Sequence, residues 1–168
     1  MRPGWLSRIV TWWAIAGGVF VLAIVLVTTA NVTLFALDRL ARPFGGVVSG
    51  LPGYEDFVSL AVSCAALMFF PLCQLKRGHV AVDVFTEKLP RRWQGALDRL
   101  WSAVACLAAL FLAFWMAVGM DQVRGDHASS PVIGWPLWLF YVPGVVSLLL
   151  WAIVAVSQAV ERPADGRP

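Results

Sequence analysis

The sequence predicts an all-α integral membrane protein, with four transmembrane helices and a short amphipathic interfacial helix between the second and third. Three observations carry this. Hydrophobic residues make up 60% of the chain and charged residues only 14%, against about 25% charged in a typical soluble domain. The apolar residues stand in four long blocks that hold no charge: between Arg8 and Asp38, from Phe57 to Leu75, from Leu100 to Met120 and from His127 to Val160. A bilayer core about 30 Å thick takes roughly 20 helical residues to cross, and a helix satisfies its own backbone where no water can. The chain therefore reads as one membrane domain, 1–168, with spans near 9–30, 57–75, 98–120 and 136–158.

The first span follows a short basic start, Met1 to Arg8. A signal peptide begins the same way, but this apolar run is too long for one, so an uncleaved span is expected despite the small residues from Thr28 to Ala30. The loop after it carries Pro43, Gly45, Gly46, Gly50, Pro52 and Gly53 behind a short helical stretch around Leu34 to Leu40. Glu55 and Asp56 end this loop where the second span begins. Carboxylates there suit the positive end of a helix dipole, and they could equally dock another protein.

Between the second and third spans, 76–94 reads as a cytoplasmic interfacial segment. Wound as a helix, it sets His79, Asp83, Thr86 and Glu87 on one side, with Val80, Val82, Val84, Phe85 and Leu89 over the rest. Pro90 stops it, ahead of Arg91 and Arg92. His79 and Asp83, four apart, could form a proton relay or half a metal site, or else a local hydrogen bond that fixes the elbow.

The third span carries Ala105, Ala109, Ala113 and Ala117, a ladder of small side chains that lets another backbone approach closely. Ala61 and Ala65 repeat the pattern in the second span, and Gly17, Gly18 and Gly144 add small spots on the first and fourth. Trp12, Trp13, Trp93, Trp101, Trp135, Trp138 and Tyr141 lie near span ends, as interfacial aromatics do. Trp115 and Trp151 sit deeper, either filling gaps or facing lipid.

Basic residues set the orientation. With both termini and the second loop in the cytoplasm, ten of the 13 lysines and arginines lie inside, and Arg39, Arg42 and Arg124 lie outside. Both ends are thus expected to be cytoplasmic.

Chemistry-bearing constellations are sparse. Cys64, Cys73 and Cys106 have no metal-ligand spacing and read as packing residues, and His79 and His127 both fall outside the spans, so no pair of intramembrane imidazoles is present to hold a haem and a four-helix cytochrome is disfavoured. No cofactor, catalytic residue, metal site or nucleic-acid partner is expected. No span has a charge at its centre, and Pro71 and Pro143 are its only interior prolines, so the chain is not expected to carry a solute alone.

The run Lys76-Arg77-Gly78-His79-Val80-Ala81-Val82-Asp83, followed by Leu89-Pro90-Arg91-Arg92, resembles the signature of the small, four-span membrane subunit of tripartite ATP-independent periplasmic (TRAP) transporters. Glu55 and Asp56, with Tyr54 before them, resemble that family's acidic entry to the second span, and Arg39 stands where a common arginine does. The resemblance implies a non-catalytic scaffold in the bacterial inner membrane. Its partners would be a large membrane subunit, a periplasmic substrate-binding protein and membrane lipids, and the system would import an organic acid (a dicarboxylate, another carboxylate or sialic acid) on a sodium gradient. Two other classes compete: a membrane-anchored redox or metal-binding subunit, and a self-sufficient small oligomeric transporter.

Overall fold

The computed structural model describes residues 4–76 and 91–160. Four helices account for most of them: α1 (Gly4–Ala41), α2 (Tyr54–Leu75), α3 (Arg91–Gly125) and α4 (Trp138–Val160). Each is long and apolar enough to cross a membrane. The interfacial helix expected at 76–94 falls largely outside the described residues, as do Arg77, Gly78, His79, Asp83 and Pro90. Arg91 already belongs to α3.

The helices form an open row. Helix α1 packs on α2, α2 on α4, and α4 on α3, so the spatial order is α1–α2–α4–α3. Leu6 and Val10 of α1 meet Leu75 of α2 and Val154 of α4 in one cluster. This marks one end of the row, here called the terminal end; the first and third loops lie at the opposite, loop end. Among the described residues such a row has no closed core, and the two outer helices stay open: Trp12, Leu22 and Leu26 on α1 and Leu107, Phe111 and Phe114 on α3 are each 62–70% exposed. Lipid tails are as apolar as these side chains, so the chain gains nothing by gathering them inward.

What brings the helices together is small size. Ala105, Ala109 and Ala113 are buried where α3 meets α4, and Ala117 is half-buried beyond them. The ladder's neighbour is thus α4 of the same chain. A Cβ on Gly144 of α4 would fall on the Met116 side chain of α3. Ala61 and Ala65 are buried in α2, and a Cβ on Gly17 of α1 would lie 3.0 Å from the Met68 Cβ.

Helix α1 runs on past the membrane length. The helical stretch expected around Leu34 to Leu40 is not a separate piece of the first loop but the end of α1, whose 38 residues make a rod about 57 Å long. Hydroxyls within it are absorbed locally: Thr11 and Thr33 each donate to the carbonyl four residues back, at 2.8 Å. A short 3-10 turn, Arg42–Phe44, ends it, and Gly45 supplies the left-handed residue (φ +77°) that turns the chain back.

Candidate functional site

Two polar constellations tie the row together, one at each end. At the loop end, the first loop folds back along the last turns of α1. Asn31 and Asp38 stand two helical turns apart on one face of α1 and are both buried. The Asn31 Oδ1 accepts the Leu51 N–H at 2.9 Å, and the Asp38 Oδ1 accepts the Val48 N–H at 3.0 Å. The other Asp38 oxygen takes the Arg42 guanidinium through Nε at 2.8 Å and Nη2 at 2.7 Å. A loop rich in glycine has few side chains of its own with which to pack, so these two acceptors supply its anchorage. Gly50 passes so close that a Cβ would sit 2.8 Å from the Asn31 Oδ1.

Asp56 performs the same task for the third loop. It sits in the first turn of α2, where its carboxylate faces a favourable dipole. Its Oδ2 accepts the Ser130 hydroxyl and the Val132 N–H, the latter at 3.0 Å. The third loop is itself a narrow excursion, with the Ser130 N–H on the Trp135 carbonyl at 2.8 Å and the Leu137 N–H on the Ala128 carbonyl at 3.1 Å. Gly53 (φ +76°) closes the arrangement, since a Cβ there would fall on Ile133 Cγ1. Phe57 and Phe140 flank the Trp135 ring at 6.3 and 6.0 Å.

The acidic pair thus divides its duties. Asp56 is engaged within the chain, whereas Glu55 is exposed and accepts the Tyr54 hydroxyl at 3.1 Å. Arg39 is also exposed. Replacing Asp56 by Ala is expected to free the third loop from α2. Amide hydrogen exchange at Val132 and its neighbours should rise while α2 and α4 keep their protection; unchanged exchange there would show that the carboxylate is not the anchor.

At the terminal end the tie is an amide pair. The Gln74 Nε2 donates to the Gln158 Oε1 at 2.7 Å, the Gln158 Nε2 donates to the Gln74 carbonyl at 2.6 Å, and the Trp151 indole donates to the Gln74 Oε1 at 3.1 Å. Trp151 also stacks on Phe70, 5.3 Å between centroids, so this deep tryptophan fills a gap between α2 and α4. Trp115 remains exposed between Phe111 and Phe114. Midway along the row, the Trp13 indole donates to the Ser147 hydroxyl at 2.9 Å, which in turn donates a hydrogen bond to the Pro143 carbonyl at 2.6 Å. The Cys64 thiol donates to the Phe140 carbonyl at 3.1 Å, which makes it a packing residue in fact; Cys73 is exposed and Cys106 half-buried.

Asn31, Asp38, Gln74, Ser130 and Gln158 were not among the residues singled out from sequence. The seven-residue spacing of Asn31 and Asp38 beside a glycine-rich loop was a usable signal. The two glutamines, one near the end of each of two apolar blocks, were another. Among the described residues no group of three or more His, Cys, Asp or Glu stands close enough to hold a metal ion.

Residues 32–164 match the family model described as tripartite ATP-independent periplasmic transporters, DctQ component. No curated protein and no solved structure matches the chain.

Proposed function

Because the chain belongs to the DctQ component family of tripartite ATP-independent periplasmic transporters and is thus a small, multi-pass inner-membrane subunit of such a transporter, we propose that it is a non-catalytic scaffold. In this reading it braces a large membrane subunit that imports an organic acid on a sodium gradient, with a periplasmic binding protein delivering the substrate. The terminal end faces the cytoplasm and the loop end the periplasm, as the distribution of basic residues favours.

The observation that carries the scaffold reading is how the polar groups inside the row are spent. Gln74, Gln158, Trp151, Trp13, Ser147 and Cys64 all bond a neighbouring helix or their own backbone. A transport pathway instead presents polar groups to a cavity where a solute exchanges its hydration for them. The open apolar faces of α1 and α3 supply what a brace requires, area against a partner or lipid. In this reading the sequence motif Arg77, Gly78, His79, Asp83 and Pro90, which lies outside the described residues, has a structural and not a catalytic role.

Co-purification tests this directly. The chain should co-isolate with a much larger membrane protein, and cells lacking it should lose uptake of one organic acid. Alanine at His79 or Asp83 should reduce both co-isolation and uptake. Undiminished uptake without the chain, or solute flux through vesicles holding this chain alone, would overturn the scaffold reading.

A further inference from the structure

We propose that the loop-end tip of α1 is a membrane-seating element, in which Leu37, Leu40, Phe44 and Val47 enter the phospholipid interface and Arg39 reaches the lipid phosphates. The tip is built inside out. Its polar side chains Asn31 and Asp38 are buried against the first loop and bonded to that loop's backbone. Its apolar ones face outward: Leu37 is 47%, Leu40 68%, and Phe44 and Val47 each 89% exposed. In open water such a surface would be costly, and because the loop holds the polar face inward, the tip cannot rotate to correct it.

The occupant is argued from continuity with the open apolar side of the same helix, which is long and apolar enough to cross a membrane. Positions 12, 15, 19, 22, 26, 29, 33, 37 and 40 follow one another at three- and four-residue steps, so the exposed Trp12, Ile15, Val19, Leu22 and Leu26 lie on the same line as Leu37 and Leu40, with the exposed Thr29 and Thr33 between them. This line faces away from α2, since the residues of α1 that pack inward are Leu6, Val10, Ala14 and Gly17. From Trp12 to Leu40 it runs about 42 Å, longer than a hydrocarbon core of about 30 Å but close to the 40–45 Å of core and headgroups together. A tilt of roughly 30°, within the usual range for membrane helices, puts Leu40 roughly 6 Å past the hydrocarbon, inside the headgroup layer. There, apolar side chains meet the upper acyl chains and an arginine meets phosphate. Phe44 and Val47 follow in the turn that Gly45 reverses, so the chain dips back instead of climbing into water.

The test uses single cysteines in a chain whose native thiols are replaced as Cys64→Ser, Cys73→Ala and Cys106→Ala. Spin labels are placed at Leu40→Cys, Phe44→Cys and Val47→Cys, with exposed Glu55→Cys as the reference. The labelled protein is reconstituted in phosphatidylethanolamine and phosphatidylglycerol vesicles, both alone and co-expressed with its large subunit. The expected result is a loss of collisions with a water-soluble nickel chelate, relative to position 55, and a gain of collisions with dissolved oxygen, in both preparations. Nickel collisions as frequent as at position 55 would place the tip in water and overturn the proposal. Loss of both collision types only when the large subunit is present would also overturn it, by showing that a protein covers the tip. Neither failure bears on whether deletion of the chain abolishes uptake, so this inference and the scaffold reading fail separately.

Discussion

Ala109→Leu is expected to part α3 from the rest of the chain. Ala109 is fully buried at the centre of the α3 ladder, and α3 packs on α4 as its main neighbour within the chain. The extra methylenes have nowhere to go except between the helix backbones. Overpacking of this kind costs about 1–3 kcal/mol in a well-packed site, and here it also forfeits the close backbone approach on which small-residue packing in lipid depends. Thermal unfolding of the purified chain in detergent should show a clear loss of stability, while Ala109→Ser, which keeps the size, should stay near wild type. Equal stability of the leucine and serine variants would mean that α3 is not held by its alanines.

Gly53→Ala is the second substitution expected to have a large effect, for two independent reasons. The left-handed backbone of Gly53 costs an L-residue about 1–2 kcal/mol. The added Cβ would also fall on Ile133 Cγ1, with the Val132 side chain 3.3 Å away, and these atoms lie too near the backbone to swing aside. A further overpacking cost of about 1–3 kcal/mol is expected. The third loop must lift away from the start of α2, and the bonds from Ser130 and Val132 to Asp56 must break with it. The same region should therefore lose exchange protection as in Asp56→Ala, with a lower unfolding temperature in addition. A variant with normal exchange at Val132 would contradict this account of the contact.

The contrast between these two sites shows what kind of information the sequence carries. Four apolar blocks without charge leave a helix as the only economical structure in lipid, so the span number was legible from residue order alone. The Ala105–Ala117 ladder was legible as a contact surface, because small residues at four-residue spacing lie on one helix face. Its partner was not legible, since an alanine accepts any backbone that comes near. The order α1–α2–α4–α3 thus emerges only in three dimensions, from Gly144 meeting Met116 and Gln74 meeting Gln158, groups far apart in the chain. The loop anchors were hidden for another reason. Asp38 and Asp56 are acidic residues near loops, and such residues usually face water; what turns them inward is the backbone N–H groups of loops whose path no local pattern specifies. The end of α1 reads as part of a loop because a hydrocarbon core takes only about 20 residues to cross, whereas the residues that stop the helix stand only at Pro43 and beyond.

The position of α4 in the row also bears on how the protein is made. It leaves the ribosome after the other three, yet it is the one that joins α3 to the α1–α2 pair. Until it is inserted, α3 waits in the lipid with its alanine face uncovered, and the bond between Gln74 and Gln158 cannot form. Assembly of the row is therefore deferred until α4 is inserted. A chain that stops short of Trp138 would not be a smaller version of this protein but a hairpin of α1 and α2 and a third helix without its main neighbour.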